Sequence, residues 1–111
     1  MILSKGLSNS FGESYPTNFS LLSNYPNPFN PTTTITYQLP EETSVKLAIY
    51  TADGRLIATL VDNVQAAGVY SVKWDASDQP SGVYFCRLAA SSSIDSRAND
   101  FHAIQKLLLL K

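Results

Sequence analysis

Little in this chain supports chemistry that depends on charge or on reactive side chains. Charged residues make up 15% of its 111 residues, against roughly 25% in an ordinary soluble domain. The formal net charge is −1 and the eight Lys and Arg are scattered, so no basic stripe is available for phosphates and nucleic acid is not an expected partner. A single cysteine, Cys86, precludes an internal disulfide, and the fold must stand on packing. The single histidine, His102, has no cysteine at a metal-ligand spacing. Neither a metal nor a cofactor is expected. The opening MILSKGLSNSFGES lacks the apolar stretch of about 7–15 residues that an export signal needs. Leu107–Leu110 is far short of the ~20 residues that cross a bilayer. No transmembrane segment is expected, and if the protein is exported, either the export signal belongs to a longer parent or this chain is an excised fragment.

Helical periodicity is missing too, apart from an ambiguous apolar run over Ile104–Leu110. What the chain does have is 44% apolar residues, including six Tyr, five Phe and one Trp, arranged in short runs closed by turn residues about every ten positions. Residues 1–17 are aperiodic and read as a linker; residues 18–111 read as one domain. The expected strands are Phe19–Leu22, Thr33–Leu39, Val45–Tyr50, Arg55–Val61, Tyr70–Asp75, Val83–Leu88 and Phe101–Leu110, with connections over Asp62–Gly68 and Ala90–Asp100. Thr33, Ile35, Tyr37 and Leu39 share one face of their strand. Seven short strands with regular turns predict an all-β, seven-stranded, immunoglobulin-like Greek-key sandwich.

The most unusual segment is NYPNPFNP. Pro26, Pro28 and Pro31 remove three backbone donors and push the residues before them to extended geometry. A rigid edge segment follows, with Asn27 and Asn30 bracing the loop through side-chain to backbone contacts and Phe29 plugging the end of the sandwich. Asp53 and Gly54 mark a hairpin turn and Gly68 closes the next connection. Asp62, Asp75 and Asp78 fall in predicted turns, where Asp is common for its own hydrogen bonding; a calcium site would need six or more oxygens gathered from separate loops. No nucleophile elbow accompanies the serines. Cys86 reads as a half-buried strand thiol and His102 as a boundary residue, so catalysis is not expected. Tyr70, Trp74, Tyr84 and Phe85 invite a sugar-stacking reading, but at strand spacing most of these rings belong in the core.

FSLLSNYPNPFNPTTTITYQLP, AIYTADGRLIATLV, AAGVYSVKWDAS, QPSGVYFCRL and the closing IQKLLLLK, in that order and spacing, resemble the type A C-terminal sorting domain of proteins exported by the type IX secretion system. The likeness covers residues 17–111. It implies an immunoglobulin-like sandwich at the end of a cargo protein, related to domains of flagellar hook-capping proteins. It implies transit through the periplasm, recognition by the outer-membrane translocation machinery, and delivery to the cell surface or beyond. It also implies removal by a surface sortase-like cysteine peptidase, for which the domain is a substrate; cleavage is expected before Phe19. Carried onto this chain, the recognition features are Pro80, Ser81 and Gly82, the last strand through Lys106, then Leu107, Leu108, Leu109, Leu110 and Lys111. An edge strand ending in such groups is readable by strand addition and charge pairing. Two departures stand out: Gln105-Lys106 where the family often has two basic residues, and a long polar Ala90–Asp100 connection. The rival readings are an adhesive or carbohydrate-binding sandwich and a hook-cap spacer.

Overall fold

Runs of β-branched and aromatic residues, separated by Pro, Gly, Asn and Asp, become strands because a pleated, half-buried surface suits their stiff side chains. The computed structural model describes residues 18–92 and 100–111, and the expected linker over residues 1–17 lies outside them. The strands are β1 (Ser20–Leu21), β2 (Thr32–Leu39), β3 (Thr43–Thr51), β4 (Leu56–Gln65), β5 (Gly68–Asp75), β6 (Gly82–Ser92) and β7 (Phe101–Leu109). One sheet has the order β1-β2-β5 and the other β4-β3-β6-β7. All pairings between these strands are antiparallel; an isolated bridge between Phe29 and Leu109 is parallel. The expected all-β sandwich is present. The crossovers that bring β2 beside β5 and β3 beside β6 are consistent with the Greek-key, immunoglobulin-like connection.

Period-two alternation decides which side chains meet between the sheets. In β2, Thr33, Ile35, Tyr37 and Leu39 are all buried, as expected. Val45, Leu47 and Ile49 from β3, Cys86 and Leu88 from β6, and Leu107 and Leu109 from β7 meet them from the other sheet. Tyr37 donates its hydroxyl to Gln65 Oε1 at 2.5 Å and stacks on Tyr70 with centroids 5.4 Å apart, which satisfies the polar end of a buried ring.

Three expectations need correction. β4 runs to Gln65 rather than stopping at Val61, and β6 runs to Ser92 rather than Leu88. β3 starts at Thr43, opposite both Gln65 and Ser92, so ladder pairing carries polar residues into strands that composition alone would end. Cys86 is fully buried, not half-buried, and desolvation pushes its thiol up to about 12.

The register also defines two ends. β2 and β5 meet at one end through Leu39 and Gly68, where β1 pairs with Gln38 and Tyr37. At the other end lie the start of β2, the β3–β4 hairpin, the start of β6 and the finish of β7.

Candidate functional site: the capped end of the last strand

Phe29 cannot point into solvent at low cost, and the fold gives it a slot. It is 2% exposed, tilted against Trp74 at 5.7 Å, and Trp74 in turn meets Tyr84 edge-on at 5.5 Å. The expected plug is present, and Trp74 and Tyr84 are core rings. Tyr70 is half-buried against the core, whereas Phe85 lies outside it.

The backbone around this plug does more than close the end. Phe29 N–H donates to the Leu108 carbonyl at 2.9 Å, and Leu110 N–H donates to the Phe29 carbonyl at 3.0 Å. Two residues earlier the Asn27 side chain continues the pattern. Its Nδ2 donates to the Lys106 carbonyl at 3.2 Å, and its Oδ1 accepts from Leu108 N–H at 3.0 Å. Pro28 has no N–H and cannot enter a ladder, so a primary amide, which carries one donor and one acceptor side by side, substitutes for a peptide group. The three X-Pro bonds at Tyr25-Pro26, Asn27-Pro28 and Asn30-Pro31 are cis.

The local brace expected of Asn27 is made by Asn24 instead. Asn24 is buried and gives Nδ2 to Thr33 Oγ1 at 2.9 Å and to the Pro26 carbonyl at 3.3 Å. Thr33 Oγ1 donates to the same carbonyl at 2.8 Å. Pro31 joins through its carbonyl, which accepts from Ala76 N–H at 2.9 Å. Asn30 is exposed.

The turn before β6 converges on the same end. Tyr84 donates its hydroxyl to the Pro80 carbonyl at 2.6 Å, so a core ring holds the turn. Ser81 Oγ accepts from Lys111 N–H at 2.9 Å, and Lys111 Nζ donates to the Ser77 carbonyl at 2.7 Å. Asp75 accepts from Ser77 N–H at 2.9 Å; that bond, the Ser77 side chain and, least, the Lys111 ammonium hold its carboxyl below the usual range. Asp53 and Gly54 also lie at this end, in a hairpin closed by Thr51 N–H to Arg55 O and Gly54 N–H to Thr51 O, both 2.9 Å. Gly54 has φ +92°, as the turn reading requires. Gly68 sits at the opposite end.

Pro26–Pro31, Asp53, Gly54, Pro80–Gly82 and Lys106–Lys111 therefore share one end of the sandwich. Within it, Leu107 and Leu109 are core residues, Leu108 is half-buried, and Leu110 and Lys111 are exposed. The expected open edge over the last strand is corrected here: from Lys106 to Leu110 its outward groups are held by Asn27 and Phe29. The Asn27 role was legible only as an asparagine between two prolines, since nothing local marks a partner about 80 residues away. His102 is exposed, with Nδ1 3.3 Å from Arg87 Nη2. Among the described residues no three His, Cys, Asp or Glu side chains gather as a metal site, and no helix is long and apolar enough to cross a membrane.

These features define an all-β sandwich module whose closing strand is clasped by its own proline-rich segment. The chain belongs to the secretion system C-terminal sorting domain family, whose model matches residues 23–98. Its role is that of a type IX secretion C-terminal sorting signal, which implies dealings with that machinery and a parent cargo. The match takes in Pro26–Pro31, Asp53, Gly54, Gly68 and Pro80–Gly82 and stops short of Lys106–Lys111. No curated protein and no solved structure matches the chain.

Proposed function

We propose that this domain directs a larger cargo through the periplasm and across the outer membrane by the type IX machinery, and that a surface cysteine peptidase then removes it. The observation that carries the reading is the family match over residues 23–98. Geometry supports a division of labour within it. The described chain enters beside Gln38, at the far end of the sandwich from Lys111. A β7 of nine residues separates the two ends by about 30 Å, so a cargo joined upstream leaves the clasped end clear for a receptor. Pro80, Ser81, Gly82, Lys106 and Leu107–Lys111 are the proposed recognition residues, with exposed Lys106, Leu110 and Lys111 as the groups a receptor touches.

A reporter fused upstream of this chain tests the proposal in a host that has the machinery. Export of the wild-type fusion is required; a fusion retained inside would overturn the sorting role itself. Deleting residues 107–111 is a poor probe of recognition, because Leu107 and Leu109 are core residues. Ser81→Ala, Lys106→Glu and Lys111→Glu leave the core intact. Combined, they should cut export about tenfold with an unchanged melting temperature. Full export would move recognition elsewhere without touching the sorting role. Cleavage is proposed before Phe19, and mass spectrometry of secreted parent checks it: a mature C-terminus beyond Phe19 rules that position out.

A further inference from the structure

The outer face of the four-stranded sheet carries a second surface. Ladder register places Tyr50 beside Phe85 and Phe85 beside Lys106, then Ala48, Arg87 and Ile104 in the next row, then Lys46, Ala89 and His102. All nine alternate with Leu47, Ile49, Cys86, Leu88 and Leu107, which point into the core, and so lie on the outer face, where Ala48 is itself buried. Where the β3–β4 hairpin rises at the edge of this face, a hollow of about 320 Å³ opens between Tyr50, Thr51, Ala52, Phe85, Arg87 and Ile104. Ile104 is 65% exposed, an expensive place for a branched aliphatic side chain unless something covers it.

The charge around the hollow is basic. β3, β6 and β7 contribute Lys46, Arg87 and Lys106 and no Asp or Glu, in a chain whose net charge is −1. On the same face Asp62 stands opposite Lys46 from β4, and Asp53 accepts from Thr51 Oγ1 inside its own turn, which leaves Arg87 and Lys106 as the cations beside the hollow. Among the described residues Arg87 meets an imidazole nitrogen, His102 Nδ1, a contact that takes one of the five donors of its fork.

We propose that this face docks an extended, acidic segment of a partner protein, with one aliphatic or aromatic side chain of the partner in the hollow and flanking carboxylates on Arg87 and Lys106. The surface adjoins the clasped end, with which it shares Lys106 and the β3–β4 hairpin; the inference rests on the sorting role and adds a second contact to it. A peptide suits it better than a bilayer. The hollow takes one or two side chains, and the rows around it carry alanines and cations where membrane adsorption asks for a continuous apolar band.

The test uses the whole chain, ¹⁵N-labelled, titrated with a synthetic peptide of alternating Glu and Phe. A Lys-for-Glu version and phosphatidylglycerol vesicles are titrated in parallel. Saturable shifts confined to the amides around Tyr50, Phe85, Arg87 and Ile104 are expected for the acidic peptide. Arg87→Glu and, separately, Ile104→Asp should each weaken it about tenfold. Both side chains are exposed, and a superimposable spectrum of each free variant shows that the fold is kept. Equal binding of the Lys peptide, shifts scattered over the molecule, no saturation, or binding of vesicles in place of peptide would each overturn the proposal. Because the readout is binding in solution, its failure is distinct from a failure of export.

Discussion

The four-stranded sheet has two edges, and they are protected in different ways. At β7 the outward groups of Lys106, Leu108 and Leu110 are paired with Asn27 and Phe29, so a distant segment completes the ladder. Among the described residues no strand is added at β4. Instead Leu60 and Ile57 slip out of register against β3, and such bulges twist an edge away from flat pairing. The first device ties the end of the chain to its beginning and is cooperative with the core through Phe29. The second is local and leaves Leu56 and Val64 exposed. The clasped edge is therefore where stability and the candidate site coincide, while the bulged edge is free to change.

If that is right, Phe29→Ala has the largest effect. It removes a ring that is 2% exposed and should cost about 3–5 kcal/mol, read as a shift in the denaturant midpoint. A loss under about 1 kcal/mol would mean that the clasp is ornamental. Asn27→Ala comes next. It leaves an exposed side-chain site but unpairs Lys106 O and Leu108 N–H, at about 1–2 kcal/mol. The same change loosens β7, which lies against Cys86 through Gln105. Alkylation of the Cys86 thiol should therefore quicken roughly 5–30-fold, the factor that corresponds to such an energy. An unchanged alkylation rate would show that β7 does not need the clasp.

Cys86 adds a pH dependence with a definite sign. Its folded thiol titrates near 12, raised by burial from 9.0. Between those values the unfolded chain has released the proton and the folded chain has kept it, so stability falls with rising pH at about 1.4 kcal/mol per unit. Cys86→Ala should remove that slope between pH 9.0 and 10.0, below the range where Tyr37, whose hydroxyl is also pushed up by burial, adds its own, although it lowers stability at neutral pH. A slope that survives the substitution would assign alkaline loss to other groups.

The two edges also differ in how much the sequence discloses. β2 was readable residue by residue, because Thr33, Ile35, Tyr37 and Leu39 keep strict alternation and nothing interrupts it. The plug at Phe29 and the turn at Asp53-Gly54 also followed from local chemistry, whereas the gathering of turn segments at one end comes from tertiary register. β4 was less clear: Ile57, Ala58, Leu60 and Val61 all pack partly on the core, since two bulges break the period on which face assignment rests. Asn27 was least readable. Its partners are set by tertiary register, and an asparagine in a proline-rich loop looks local until the strand it serves is placed beside it. The basic outer face was likewise hidden, because Arg87, His102 and Lys106 are scattered in sequence and adjacent only through pairing.

Two smaller changes sharpen the contrast at the bulged edge. Gly54→Ala meets no atom within 4 Å, so its cost is conformational alone, about 1–2 kcal/mol for a side chain at φ +92°, read by thermal melting. Gly54→Asn, which tolerates that region better, should recover part of it. Val64→Lys is the smallest. Val64 is 55% exposed opposite Ser44, so burial cannot be lost, and a lysine on an edge discourages pairing between molecules. Stability should move by less than about 0.5 kcal/mol, with equal or better solubility on concentration. If Val64→Lys instead lowered stability as much as Asn27→Ala does, the β4 edge would be covered by a partner as firmly as β7 is covered by its clasp.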